Sequence, residues 1–183
     1  SPAIVGNKSI VVNNSSEVKG GGIFSMRSNP VLDNVKISGN NSPKGAGAYF
    51  LFSDPIINNT EITENTLIQS EELTLRGAGI YAFNSNLTLD SVIISGNLAP
   101  GGKGGGIYSI SDGRIDDHNL FNNVIVDNNS AEEGGGFYFT PGTYNELDGV
   151  LVFENVAEVF GGGIYVEGST GIIKNSTIVD NVA

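Results

Sequence analysis

The 183-residue sequence contains no cysteine and no tryptophan, and nine lysine and arginine residues face twenty aspartate and glutamate residues. Without cysteine, disulfide frameworks and thiolate metal sites are excluded. A formal net charge of −11 disfavours nucleic acids and anionic lipid surfaces as partners, because both would be repelled. No apolar run reaches the roughly 18 residues that a membrane-spanning helix needs, so the sequence predicts no direct membrane insertion.

Glycine and asparagine are the residues that the chain has in excess, with 26 and 22 copies. The chain is nevertheless 39% hydrophobic and only 16% charged, which argues against a disordered tail. The length fits one domain, spanning residues 1–183. A regular structure must therefore use the glycine and the asparagine.

Two short blocks repeat along the sequence. A glycine block of the form Gly-Gly/Ala-Gly-apolar-aromatic occurs six times, at residues 20–24, 45–49, 77–81, 104–108, 134–138 and 161–165. A second block, Asn-x-x-apolar-x-x-Asn with Ser or Gly sometimes first, occurs seven times and closes at Asn13, Asn40, Asn65, Asn97, Asn129, Asn155 and Asn181. In four of the six repeats the closing asparagine follows the opening glycine by 20 residues, which indicates one structural unit.

The apolar residues in each unit alternate over short runs bounded by Asn, Gly, Ser and Pro, which is typical of strands. Aligning the units gives apolar columns, one of them at Ile10, Ile37, Ile62, Ile94, Val126, Val152 and Ile178. The sequence therefore predicts an all-β parallel β-helix with three strands per turn and six to seven turns. Equivalent residues of successive turns would then stack on one another.

The repeated asparagine and glycine each have a physical reason in such a solenoid. Asparagine tolerates the left-handed backbone of a sharp corner, and its amide can bond along the axis from turn to turn. The recurring glycines indicate either close backbone approach or a positive φ, and the sequence leaves both open. The alternation favours an outward aromatic column, while the apolar residues two places further on leave its face open. The tyrosines of this column are Tyr49, Tyr81, Tyr108, Tyr138 and Tyr165.

These blocks resemble the GGA(I/L/V) and FxxN repeats of polymorphic outer membrane proteins, and more broadly the repeats of right-handed parallel β-helix proteins. The segments at residues 37–40, 152–155 and 178–181 carry the resemblance, which covers essentially the whole chain. It implies export to the cell surface and a non-enzymatic scaffold or adhesin role. It transfers no catalytic residue and no cofactor.

An enzymatic role is the alternative hypothesis, because polysaccharide lyases and hydrolases share this fold. The polygalacturonase-like motifs are absent apart from Asp116-Asp117. Asp112, Asp116, Asp117 and His118 are expected on one solvated loop, with a calcium site as a second interpretation and catalysis as a remote one. The six lysines and three arginines look scattered along the sequence, which gives no charge compensation for an anionic substrate.

The role of the tyrosines and the assembly of the chain each allow two interpretations. The tyrosine column either stacks sugars as a binding platform or only stabilises its sheet as a ladder of rings. The chain is expected to be an uncapped segment of a longer β-helix, or a subunit that stacks end to end in a filament or sheath. The expected partners are accordingly a protein or glycan at a cell surface, or further copies of the chain.

Overall fold

The computed structural model describes residues 8–70, 73–113 and 117–183. Over these ranges the chain forms strands joined by short turns, and it forms no helix. The strands belong to four sheets, and every strand pairs in parallel with its counterpart in the next coil. The result is a parallel β-solenoid of about six coils, which confirms the predicted fold class.

We number the sheets in the order in which a coil visits them after its glycine block. Sheet 1 contains Ile23–Met26, Ala48–Leu51, Ile80–Phe83, Ile107–Ile110, Phe137–Phe139 and Ile164–Val166. Sheet 2 contains Val31–Asp33, Ile56–Asn58, Thr88–Asp90, Asp117–Asn122, Thr143–Asp148 and Thr170–Lys174. Sheet 3 contains Ser9–Val12, Val35–Ser38, Glu61–Thr63, Ile93–Ser95, Ile125–Asp127, Leu151–Phe153 and Thr177–Val179. Sheet 4 contains Asn41–Ser42, Thr66–Leu67, Leu98–Lys103, Ser130–Glu133 and Val156–Phe160.

The prediction of three strands per turn was wrong, because sheet 4 adds a fourth. Its strands follow the closing asparagine, in the step whose length varies most along the sequence. Two of them, Asn41–Ser42 and Thr66–Leu67, contain only two residues, too few to display an alternating pattern. The small residues two places after the asparagine lie in these strands, where Ala99 and Ala131 pack in a second, smaller core.

The main core consists of side chains stacked in register from coil to coil. In sheet 3, Ile62 pairs with Ile94, which pairs with Val126, and all three are completely buried. The first coil departs from the predicted column, because Val11 pairs with Ile37 while Ile10 is 66% exposed. Each coil therefore buries its apolar face only because its neighbours cover it.

The closing asparagines form the predicted ladder of hydrogen bonds through the interior. Each side-chain Nδ2 donates to the Oδ1 of the asparagine in the next coil, at 2.9 Å for all five steps from Asn40 to Asn181. In the first coil the ladder residue is Asn14, whose Nδ2 donates to Asn40 at 3.0 Å, so the prediction of Asn13 was wrong. Asn13 instead occupies the corner position of Gly39, so the predicted alignment of the first coil was off by one residue.

Asn97 illustrates how completely the ladder satisfies each amide. Its Oδ1 accepts hydrogen bonds from the backbone N and the Nδ2 of Asn65, at 3.1 and 2.9 Å. Its Nδ2 donates to Asn129 Oδ1 and to the carbonyl of Ile62, both at 2.9 Å. A buried amide that uses both donors and both lone pairs stabilises the fold, whereas an unpaired one costs free energy.

The reason predicted for the asparagine needs one correction. The ladder residues do not adopt a positive φ, whereas the residue before each of them does, as at Gly39, Glu64 and Gly96. The left-handed corner therefore falls one position earlier than predicted. Hydrogen bonding alone explains why asparagine recurs at the ladder position.

Both reasons considered for the glycine block apply, at different positions. The first glycine has a positive φ in every block, as at Gly104 with φ of 69°. The third glycine leaves room for its neighbours: a Cβ at Gly106 would lie 2.5 Å from the carbonyl oxygen of Gly136 and 3.3 Å from Asn129 Nδ2. Since the ladder asparagine of a coil lies against this third glycine, the two blocks keep a nearly constant separation.

Candidate functional site

The acidic loop predicted around residue 116 is only partly a loop. Asp116 lies outside the described residues, and Asp112 is exposed. Asp117 and His118 begin a strand of sheet 2 instead, so the prediction of a loop was wrong for both. Asp117 is only 3% exposed, against the prediction, whereas His118 is exposed as predicted. In the described part of the chain, no group of three or more His, Cys, Asp or Glu side chains could hold a metal ion.

Asp117 points into the solenoid, at the corner between sheets 1 and 2. Burial raises the pKa of its carboxyl group to about 6, although hydrogen bonds from Ser111 and from the backbone of Ser85 oppose this shift. Its Oδ2 has no hydrogen-bond partner among the residues that the structure describes. Burial disfavours the ionised form of such a carboxyl group. A single carboxyl group also offers few oxygen ligands to a hard cation.

His118 lies on the opposite face of the same strand. The rings of His118 and Tyr144 pack edge to face, with 4.6 Å between their centroids. Both line a surface pocket of about 440 Å³, which Gly168 and Thr170 also line. Because adjacent residues of a strand point to opposite faces, the carboxyl group of Asp117 and the imidazole of His118 cannot converge on one bond. The arrangement offers no acid and base pair.

The tyrosine column lies on the outer face of sheet 1, as predicted, but its rings are not open to solvent. Tyr49, Tyr81, Tyr108 and Tyr138 are 1–5% exposed, and their ring centroids are 4.6 to 5.5 Å apart. Because the three contacts are stacked, each ring face is occupied by the next ring. The geometry favours the stabilising ladder over a platform for sugars at these four positions, and Tyr165 is the half-buried tyrosine at its end.

Burial raises the pKa of the tyrosine hydroxyls along this ladder. The pKa of Tyr108 rises to about 12, although the guanidinium of Arg76 opposes the shift. The pKa of Tyr138 is raised too, first by burial and then by the carboxylate of Glu167, to which its hydroxyl donates at 2.9 Å. These hydroxyls therefore remain protonated at neutral pH and serve as hydrogen-bond donors.

Comparison with known proteins agrees with this geometry. A family model described as a right-handed β-helix region matches residues 3–119, which is more than half of the chain. The chain belongs to the right-handed β-helix family. Searches of curated proteins and of solved structures found no match.

The β-helix also carries a column of cations that the sequence analysis missed. Its members are Lys19, Lys44, Arg76 and Lys103, and we call them the basic column. Backbone pairing places Lys44 opposite Arg76 and Arg76 opposite Lys103, and the carbonyl of Lys44 accepts from the residue after Lys19. The signal was present in the sequence, because each of these cations directly precedes the opening glycine of a block.

The basic column of the β-helix lies against the tyrosine ladder. Lys19 lies 5.4 Å from the ring centroid of Tyr49, Arg76 lies 5.0 Å from that of Tyr108, and Lys103 lies 5.1 Å from that of Tyr138. These distances are within the range of cation–π attraction. The cations thus cover the ladder, which explains part of the burial of its rings.

A groove of about 340 Å³ opens beside the basic column. Arg76 and Lys103 line it together with Glu132 and with residues 69–70 and 73–75 of the longest insertion between repeats. The neighbouring pair Glu71-Glu72 lies outside the described residues. No helix in the described part of the β-helix is long and apolar enough to cross a membrane.

Proposed function

We propose that this β-helix is a non-enzymatic scaffold segment of an extracellular cell-surface protein, of the adhesin type that contains polymorphic outer membrane protein repeats. The observation that carries the proposal is the uninterrupted stacking of side chains along the axis. The asparagine ladder continues through every coil from Asn14 to Asn181, and the apolar columns run beside it. A solenoid in which each coil is bonded to the next is suited to hold an outer surface at a fixed spacing.

The side-chain chemistry of the described residues favours a scaffold over an enzyme. The buried carboxyl group of Asp117 and the imidazole of His118 lie on opposite faces of a strand. Buried polar side chains also bond from coil to coil outside the asparagine ladder, as where Asn119 Nδ2 donates to Asn145 Oδ1 at 2.9 Å. Glycine and asparagine blocks like those of the surface proteins supply the second support.

The location can be tested on the cells that produce the protein. An antibody raised against residues 8–183 should label intact cells, and external protease should remove the corresponding band without lysis. A cytoplasmic protein of the same cells, probed in parallel, should survive the protease. A band that is protected in intact cells and lost only after lysis would contradict the surface assignment.

The non-enzymatic part of the proposal needs a separate assay. The purified chain, incubated with polyuronides and with neutral polysaccharides, should release no reducing or unsaturated sugars above the blank. Release of such products by the wild type, and its loss in Asp117→Ala at unchanged folding by circular dichroism, would show that the β-helix is an enzyme.

A further inference from the structure

The basic column concentrates positive charge in a strongly acidic protein. Four of the nine lysine and arginine residues lie in this one column, while the chain as a whole has a formal charge of −11. Because neighbouring strands are about 4.8 Å apart, the four cations leave the backbone at about that spacing from coil to coil. Like charges placed opposite one another on adjacent strands are destabilising.

Within the described part of the chain, only one cation of the column has an ion pair that offsets this repulsion. Lys103 pairs with Glu133 at 2.8 Å, but Lys19, Lys44 and Arg76 have no ion pair with a described residue. Burial lowers the pKa of Lys44, and the charges of Arg76 and Lys19 lower it further. The column therefore presents positive charge that an external anion would stabilise.

We propose that the basic column binds a linear sulfated polysaccharide that lies parallel to the solenoid axis. Four successive coils present a cation on the same side, and Glu133 and Phe160 take this position in the next two coils. The ligand must therefore present an anion to this side at each of the four coils. A polysaccharide with several sulfates per disaccharide meets this requirement however its successive sugars turn. A chain with one carboxylate per sugar turns alternate groups away from the column.

The surroundings of the column disfavour the other polyanions. An extended peptide rises about 3.3 Å per residue, so side chains on one face repeat at roughly twice that distance and fall out of step with the coils. Single-stranded nucleic acids bind through bases stacked on aromatic faces. Here the faces of Tyr81 and Tyr108 are already occupied by neighbouring rings.

The groove beside Arg76 and Lys103 gives the ligand a concave wall. Gln69, Ser70 and Thr74 line it and offer polar groups for sugar hydroxyls, and Glu132 is the acidic residue among its described lining. On the other side of the tyrosine ladder, a row of partly buried apolar side chains borders it, formed by Leu51, Phe83 and Ile110. The proposal concerns the surface of the isolated domain and stands whether or not the domain is displayed on a cell.

The test uses heparin as the sulfated probe, with alginate, hyaluronan, dextran, polyglutamate and single-stranded DNA as comparators. Isothermal titration at low salt should show that heparin binds the wild type most tightly, that alginate and hyaluronan bind more weakly, and that dextran does not bind. The triple variant Lys19→Gln, Lys44→Gln, Arg76→Gln should bind heparin at least about tenfold more weakly, because each charge contact contributes a modest factor. Added salt should weaken the wild-type complex.

The matched control is the variant Lys8→Gln, Lys36→Gln, Lys174→Gln, which removes the same charge from residues outside the column. Circular dichroism and thermal melting establish that both variants fold, and Lys44→Gln alone, expected to weaken binding about two- to fivefold, repeats the test with one change. No heparin binding by the wild type, or equal losses in the two triple variants, would overturn the proposal. Tighter binding of alginate, polyglutamate or DNA than of heparin would overturn the assignment of the ligand.

Discussion

The asparagine ladder makes a quantitative prediction about stability. Asn97→Ala removes four side-chain hydrogen bonds at the centre of the ladder, two accepted from Asn65 and two donated to Asn129 and to Ile62. A buried hydrogen bond contributes about 1 kcal/mol net, and partners left unpaired in the interior add to the loss. We therefore expect Asn97→Ala to lower the free energy of unfolding by about 3–5 kcal/mol.

Equilibrium urea denaturation followed by far-UV circular dichroism measures this change. Because solenoids can unfold in more than one step, the slope of the transition must be compared between the variants before the midpoints are converted to free energies. Asn14, at the end of the ladder, allows the cost of losing an outer ladder residue to be compared with that of losing Asn97. Asn14 is exposed, and Asn14→Ala removes one part-buried side-chain hydrogen bond to Asn40, so it should cost less than about 1 kcal/mol.

Asn122→Ala is the matched control away from the ladder. Asn122 lies at the end of a sheet 2 strand with a partly exposed side chain, so its replacement should change stability by less than about 0.5 kcal/mol. If Asn97→Ala cost no more than Asn14→Ala or Asn122→Ala, hydrogen bonding through the interior would not be the reason for the repeated asparagine.

Three further predictions concern other positions. Gly106→Ala should destabilise the fold by more than about 2 kcal/mol, because its Cβ would lie 2.5 Å from a carbonyl oxygen of the next coil. Its control is Gly101→Ala, whose Cβ would meet nothing within 4 Å. This control should show only the cost of the positive φ, about 1 kcal/mol. Asp117 has a pKa of about 6 in the folded state against 3.8 normally, so the unfolded chain loses this proton first and stability falls as the pH rises from 4 through 6. Asp117→Asn should remove that fall, which amounts to about 1–2 kcal/mol of unfolding free energy between pH 4 and pH 8. Thermal or urea melting measures it, and a pH profile unchanged from the wild type would contradict the prediction. Lys44→Gln should leave stability unchanged or raise it by up to about 0.5 kcal/mol, because it relieves repulsion within the basic column, and a marked loss would count against that repulsion.

Several features of the fold could be predicted from residue spacing alone. The distance of 20 residues between the opening glycine and the closing asparagine recurs because Asn97 lies against Gly79 within one coil, and Asn65 against Gly47. Columns of identical residue types therefore identify stacked positions before any coordinate is known. The same reasoning failed in the first coil, where two adjacent asparagines fit the pattern and only backbone pairing selects Asn14 over Asn13.

The candidate site was less predictable, because it depends on which residues of different coils become neighbours. Lys19 and Lys44 look scattered at 25 residues apart, although each directly precedes the opening glycine of its block and pairing between coils places them side by side. The sequence places Asp117 in an acidic segment, while its burial follows from the pairing of its strand with Thr143 of the next coil. The exposure of a side chain and the charge of a surface depend on which residues are neighbours. The stacking of the coils decides which residues these are.

The sequence by itself determined the repeat, the parallel stacking and the residues of the asparagine ladder beyond the first coil. The reason is that repeats of this length bury their apolar faces by stacking on one another. The tertiary structure alone decided the fourth sheet, the burial of Asp117 and the filled faces of the tyrosine rings. The physical reason is that a repeat can be seen in the sequence, whereas the pairing of very short strands and the burial of side chains arise only when one coil packs on the next.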